Sequence, residues 1–174
     1  YLKADELAFI INNSESRVLI FSEEKRAVAL EALKQCPNVE VSLVVDGPGD
    51  GDRILNLDEA VRDFPSTPVS DESIGTAMLY SSGTTGRPKG IIRPLPEQPP
   101  AEGLPIFDFL NQLWLYREGM TYLSPAPLYH SAPQAAVNLA IRNGGTVIIM
   151  EKFDPENYLQ LVETYRPTHS QLVP

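Results

Sequence analysis

Apolar positions in this chain fall into two rhythms that alternate along its length. Residues 4–12 (ADELAFIIN) repeat apolar side chains at helical spacing and open on acids, which suit a helix N-terminus. Asn12-Asn13-Ser14 breaks the pattern. Residues 17–21 (RVLIF) form a compact apolar run that predicts a buried strand. Ser22 is placed to cap a helix that runs to about Lys34 and stops before Pro37. Residues 39–45, rich in β-branched side chains, predict the next strand. Strand, helix and strand at this spacing predict a right-handed crossover in a parallel sheet.

Residues 46–53 (DGPGDGDR) read as a flexible acidic turn; they lack the full ligand set and terminal Glu of a calcium loop. A short helix is predicted over 58–64. Residues 65–73 (PSTPVSDES) read as a linker. They divide a strand-helix-strand part, residues 1–70, from a second part, residues 71–174, both within one truncated domain.

The second part opens on a short apolar strand, residues 77–80. A proline-rich stretch, residues 93–105 (RPLPEQPPAEGLP), reads as a stiff, irregular excursion. Pro105 suits a first helical turn, and Ile106, Phe109, Leu110, Leu113 and Trp114 then share one helical face. That stripe predicts a core face, or alternatively the wall of a site for an apolar tail. Residues 121–123 predict a short strand, 124–133 (SPAPLYHSAP) an extended bend, and 135–142 a helix stopped by Asn143-Gly144-Gly145. Residues 146–150 predict a buried strand. Asp154 and Pro155 predict the start of a helix with Leu159, Leu161 and Val162 inside, ended by Pro167. Residues 169–173 begin a last strand. His169 reads as a packed or hydrogen-bonded strand residue, since no Cys, Asp or Glu is spaced around it for a metal. Strands alternating with helices give an α/β chain with a mainly parallel sheet and flanking helices.

Composition narrows the function. The 174 residues suit one domain, and 43% apolar content suffices for a core. No apolar run approaches a membrane span, and no signal peptide is visible. A net charge of −9 argues against nucleic-acid binding. The single cysteine, Cys36, excludes an internal disulfide framework and reads as a small buried or half-exposed thiol in a reducing compartment, the cytoplasm. The chain opens on Tyr1 without Met and stops at Val173-Pro174 after an apolar run, so it reads as a piece of a longer protein.

Chemistry concentrates in residues 80–90, YSSGTTGRPKG. The stretch holds four hydroxyls, three glycines and two cations. From Ser73 to Pro96 there is no acid, although the chain as a whole is acidic. Glycines let backbone approach a ligand closely, successive N–H groups form an anion-binding concavity, and Lys89 supplies a mobile point charge. These features point to phosphate. The stretch is not the P-loop of the NTPases, because Pro88 stands between Gly86 and Lys89 and Gly90 stands where that motif has its metal-binding hydroxyl.

Residues 80–90 resemble, at every specified position, the phosphate-binding signature of the adenylate-forming enzymes: acyl-CoA synthetases, luciferases and peptide-synthetase adenylation domains. PLYHSAP (127–133), GGTVIIMEKFDPE (144–156) and RPTHSQLVP (166–174) resemble further segments of that family, in the family's order. The resemblance covers most of residues 70–174 and, more loosely, residues 1–70. It implies that the chain is part of the large N-terminal domain of such an enzyme, with the adenine and ribose motifs, the hinge and a catalytic lysine lying further on. The piece alone is then expected to be inactive.

The resemblance also implies ATP, Mg²⁺ and coenzyme A as cofactors and a carboxylic acid, expected to be fatty, as substrate. Ser82, Gly83, Thr84, Thr85, Gly86 and Lys89 are the expected phosphate cradle, with Thr85 assigned to the metal and Lys89 to catalysis. Ser81, at the loop's entry, is counted with the cofactor-binding residues, chiefly as one that shapes the loop, as Arg87 and Pro88 do. His130 is the second expected catalytic residue. Its family counterpart lies near the acyl-adenylate, and shape and contact suit it better than general-base work, because a carboxylate nucleophile is already ionised near neutral pH. The chain departs from many relatives in lacking a Thr-His pair soon after the loop. Acyl-CoA synthesis is favoured over carrier-protein loading, and a non-catalytic nucleotide-binding module is the alternative of a different class. Peripheral membrane contact and a homo-oligomeric parent stay open.

Overall fold

The computed structural model describes residues 2–81 and 88–172. The chain divides into two compact units, residues 1–97 and 98–174.

The first unit carries helix α1 (Ala4–Asn13), strand β1 (Val18–Ser22), helix α2 (Arg26–Leu33), strands β2 (Val41–Val45) and β3 (Ile54–Asn56), helix α3 (Leu57–Val61) and strands β4 (Leu79–Ser81) and β5 (Lys89–Ile91). Strands β1, β2 and β3 form a parallel sheet in that order, with Val18 opposite Val41 and Ser42 opposite Ile54. The predicted strand-helix-strand unit is therefore present, and β3 extends it.

Three local expectations change. Ser22 stands before a 3₁₀ turn, Glu23–Lys25, without a side-chain capping bond, and the α-helix starts only at Arg26. The acidic turn is an ordered element. Asp50 accepts backbone N–H bonds from Ile54 (2.8 Å), Arg53 (2.9 Å) and Asp52 (3.1 Å) and folds the chain directly into β3. Helix α3 begins one residue before the predicted range because Asn56 caps it, accepting from the Glu59 N–H at 2.9 Å, and it ends at Val61.

Small residues let the helices settle closely here. Ala8 and Ile11 of α1 pack on Ala32 and Cys36, while Ala29 packs with Phe21, Val44 and Ile54. Burial of these apolar surfaces is the main stabilising term. Of the two expected settings for Cys36 the structure has the buried one: its Sγ points at the Ala8 carbonyl, and burial pushes its pKa up.

The second unit carries helix α4 (Pro105–Trp114), strand β6 (Thr121–Ser124), helix α5 (Ser131–Arg142), strand β7 (Thr146–Ile149), helix α6 (Pro155–Tyr165) and strand β8 (His169–Ser170). Strand β6 lies between β7 and β8, parallel to both. Met120 and Tyr122 pack against Ala136, Val137 and Ala140 of α5. The Asn143-Gly144-Gly145 stop is realised as a Schellman ending. Gly144, at φ +69°, donates to the Ile141 carbonyl and Gly145 to that of Ala140, each at 2.9 Å. A side chain on Gly145 would strike Met120 Cγ at 2.7 Å and the Ala140 carbonyl at 2.9 Å.

Here too the structure corrects the sequence. Helix α5 starts at Ser131, inside the predicted bend, because Pro133 falls in the first turn, where its missing N–H costs no helical bond. The α4 stripe is not a core face. Ile106, Phe109 and Leu113 are 51%, 59% and 58% exposed, while Phe107, Leu110, Asn111 and Trp114 are half-buried. Leu159 of α6 is exposed, with Tyr158, Leu161 and Val162 half-buried instead. Asp154 caps α6 as expected, accepting from the Asn157 N–H at 2.8 Å. His169 is hydrogen-bonded through both ring nitrogens, Nδ1 to Thr168 Oγ1 (2.8 Å) and Nε2 to the Trp114 carbonyl (2.9 Å), and its ring meets Tyr116 edge-on.

Candidate functional site

The glycine- and hydroxyl-rich loop grows out of a hairpin. Strands β4 and β5 pair antiparallel, with Leu79 opposite Ile91, Tyr80 opposite Gly90 and Ser81 opposite Lys89. The two ends of the loop are thus held side by side, Ser81 where it leaves and Lys89 where it returns. Strand β5 is invisible to a hydrophobic pattern, since Lys-Gly-Ile carries one apolar side chain. Ser82, Gly83, Thr84, Thr85, Gly86 and Arg87, and with them most of the expected cradle and the expected metal position, lie outside the described residues.

Tyr80 and Gly90, to which the sequence assigned no structural role of this kind, organise this base. The Tyr80 hydroxyl donates to Asn13 Oδ1 at 2.8 Å, and the Ile10 carbonyl lies 3.4 Å away, so the strand is tied to the last turn of α1. Gly90 leaves room for Met78 and Tyr80 to lie across the hairpin. A Cβ there would overlap Met78 Cε and come within 3.0 Å of Tyr80 Cζ.

Lys89 is exposed on β5, and Pro88 before it is half-buried. A cavity of about 400 Å³ runs beside Pro88, walled by Phe9, Asn12 and Gln35 but also by Asp5 and Glu6. Its two carboxylates make it a poor place for phosphate. Among the described residues no three His, Cys, Asp or Glu side chains come together to hold a metal ion. The described part of the chain therefore offers no all-protein cation cage.

In the second unit, His130 occupies the N-cap position of α5. Its backbone N–H donates to the Pro127 carbonyl at 3.2 Å, and its carbonyl accepts from Gln134 at 3.2 Å. The imidazole is exposed and lies against Tyr129, ring centroids 4.5 Å apart. It makes an aromatic pair at the start of α5, with no carboxylate partner among the described residues. Desolvation raises the pKa of buried Tyr122 and of half-buried Tyr116.

Comparison with known proteins places this geometry in a family. The AMP-binding enzyme family model matches residues 1–174. The chain belongs to that family. It is 31% identical over 169 residues to the 4-chlorobenzoate–CoA ligase of Pseudomonas sp. (strain CBS-3), a match covering 96% of this chain and 30% of the relative. It is 28% identical over 177 residues to a medium/long-chain-fatty-acid–CoA ligase of Mycobacterium tuberculosis (strain ATCC 25618 / H37Rv), covering 96% and 30%. The chain thus spans about a third of the length of these relatives. In fold it matches the N-terminal domain of FACL13 from Mycobacterium tuberculosis with a TM-score of 0.72, at 23% identity, covering 99% of this chain and 42% of that one. The α/β architecture is that of the N-terminal domain of adenylate-forming enzymes.

Proposed function

We propose that the full-length protein activates a carboxylic acid with ATP and passes the acyl group to coenzyme A. The observation that carries this reading is the match of the whole chain to the AMP-binding family, with Ser81 and Lys89 paired at the base of its signature loop. The substrate oxygen attacks the α-phosphorus of ATP, the bond to the β-phosphate breaks, and pyrophosphate leaves; acyl-adenylate remains. The thiol of coenzyme A then displaces AMP and gives the thioester.

The loop's part is electrostatic. Charge builds on the leaving pyrophosphate, and donors fixed beforehand around the β- and γ-phosphates stabilise it. Lys89, together with Ser82, Gly83, Thr84, Thr85 and Gly86, is assigned that work. Mg²⁺, when bound, neutralises phosphate charge, with Thr85 the assigned hydroxyl. His130, whose ring lies tilted against Tyr129, is assigned to contact with the acyl group. The outward side chains of α4 (Ile106, Phe109 and Leu113) are the assigned wall for an apolar acyl group. A fatty acid is the preferred substrate class, and the relatives, one named for an aryl acid and one for fatty acids, make the aromatic acids the natural competitors in the test. The cytoplasm, with its reduced thiols and coenzyme A, is the assigned compartment.

The test is thioester formation by the full-length protein with ATP, Mg²⁺, coenzyme A and a panel of short, long and aromatic acids. Equal yields of acyl-CoA and AMP with a fatty acid support the reading. ATP binding without AMP release for any acid would favour a nucleotide-binding module instead.

A further inference from the structure

The hairpin that presents the loop is small. Three residue pairs are too few to hold a two-stranded ladder in register by themselves. A slip of one residue would turn one strand over against the other, so that Ser81 and Lys89 no longer share a face. Something outside the ladder must fix it.

Helix α1 supplies a rigid reference. Ala8 and Ile11 are buried against Ala32 and Cys36. Asn12 Nδ2 donates to the Gln35 carbonyl at 2.8 Å, and Gln35 Nε2 donates to Asp5 Oδ1 at 2.9 Å. At the end of this anchored helix, Asn13 Oδ1 accepts the Tyr80 phenol proton at 2.8 Å. The phenol also faces the Ile10 carbonyl at 3.4 Å, so it sits where the helix end concentrates acceptors and negative potential. The same ring lies over Gly90, its ladder partner, where a Cβ would come within 3.0 Å. One side chain therefore contacts both strands of the hairpin and the helix.

We propose that Asn13 is a positioning residue for the nucleotide loop, acting through Tyr80 to set the register in which Ser81 and Lys89 face each other. The inference rests on the nucleotide reading above. Asn13 does not touch the reacting groups; it fixes the strand that carries them.

The test uses the full-length protein with Asn13→Leu, Asn13→Asp, Tyr80→Phe and the Leu/Phe double variant. Acid-dependent ATP–pyrophosphate exchange gives KM for each substrate, and amide hydrogen exchange reports on residues 79–81 and 89–91. Asn13→Leu and Tyr80→Phe are each expected to raise KM for ATP about five- to ten-fold, the worth of one hydrogen bond. KM for the acid and the thermal midpoint stay near wild type. Asn13→Asp, which keeps the acceptor, restores KM, and the double variant is no worse than either single one. Wild-type KM for ATP in both single variants would overturn the proposal, as would a parallel rise in both KM values with a fall in thermal midpoint. Should the wild type show no acid-dependent exchange, the adenylation reading fails by itself. Hydrogen exchange still decides the brace: faster exchange at residues 79–81 and 89–91 in Asn13→Leu supports it, and unchanged exchange refutes it.

Discussion

Ser81 and Lys89 face each other across the β4–β5 ladder, so the chain between them leaves and re-enters the fold at one point. A hydroxyl and a cation separated in sequence by the whole loop are thereby held as neighbours. This arrangement gives Gly90 a job that its place in a motif does not explain. Gly90 follows Lys89 and lies under Tyr80, which carries the strand's link to α1.

Gly90→Ala should therefore act on the loop through packing. The added Cβ forces Met78 and Tyr80 away from the hairpin, an overpacking expected to cost about 1–3 kcal/mol. Thermal unfolding and ATP–pyrophosphate exchange on the full-length protein should both fall. Adding Met78→Ala should recover part of each, because it removes the nearer obstruction. No recovery would mean that the Tyr80 contact alone governs the site.

How much of this was legible beforehand depended on element length and on what each residue faces. Helices α1, α4 and α6 carry their own signals: early acids, Pro105 at a first turn, Asp154 before Pro155. Strands β3 and β5 span three residues each, too short for a period to show, and β5 is polar because it belongs to the loop motif. The start of α5 was hidden by Pro133, a residue that breaks a helix interior but not its first turn. The loop itself was the most readable feature, since its chemistry is local. Tyr80–Asn13 was not readable, because it joins residues far apart in sequence through a fold that the sequence does not display.

The outward face of α4 shows the same limit, since periodicity identifies an apolar stripe without saying what it meets. If that face lines the acyl site, Phe109→Ala in the full-length protein should raise KM for the preferred acid about ten-fold or more, on the scale of a lost aromatic contact, while KM for ATP stays constant. A change in KM for ATP alone would remove α4 from the acyl wall.

Asp50 predicts a pH dependence. Backbone N–H bonds, that from Ile54 first and then those from Arg53 and Asp52, hold its carboxyl below the ordinary aspartate value of 3.8. A depressed folded-state pKa contributes stability that is fully present above the unfolded value and is lost as pH falls through the folded one. Asp50→Ala should lower the thermal midpoint by a constant amount from neutral pH to about pH 5, and the gap to wild type should close below about pH 4. A gap that persists unchanged into acid would show that the carboxylate charge is not what orders this turn.

Cys36 predicts a slow thiol. Burial raises its pKa, and the side chain is 3% exposed. Peptide-level mass spectrometry after iodoacetamide at neutral pH should find Cys36 unmodified in the folded protein and modified after denaturation. Rapid labelling of the native protein would contradict the packing of α1 on α2.

The most direct measurement is acid-dependent ATP–pyrophosphate exchange by the full-length protein, comparing wild type, Lys89→Ala and Arg87→Ala. Exchange isolates adenylation from thioester formation, and the two substitutions separate the cation assigned to phosphate from its neighbour in the motif. Adenylation at this loop predicts exchange only when a carboxylic acid is present. It also predicts a loss of about 10- to 100-fold in kcat/KM for ATP with Lys89→Ala, the range for a charged hydrogen bond, and a much smaller loss with Arg87→Ala. Equal losses in the two variants would remove the role given to Lys89, and absence of exchange with every acid would contradict adenylation itself.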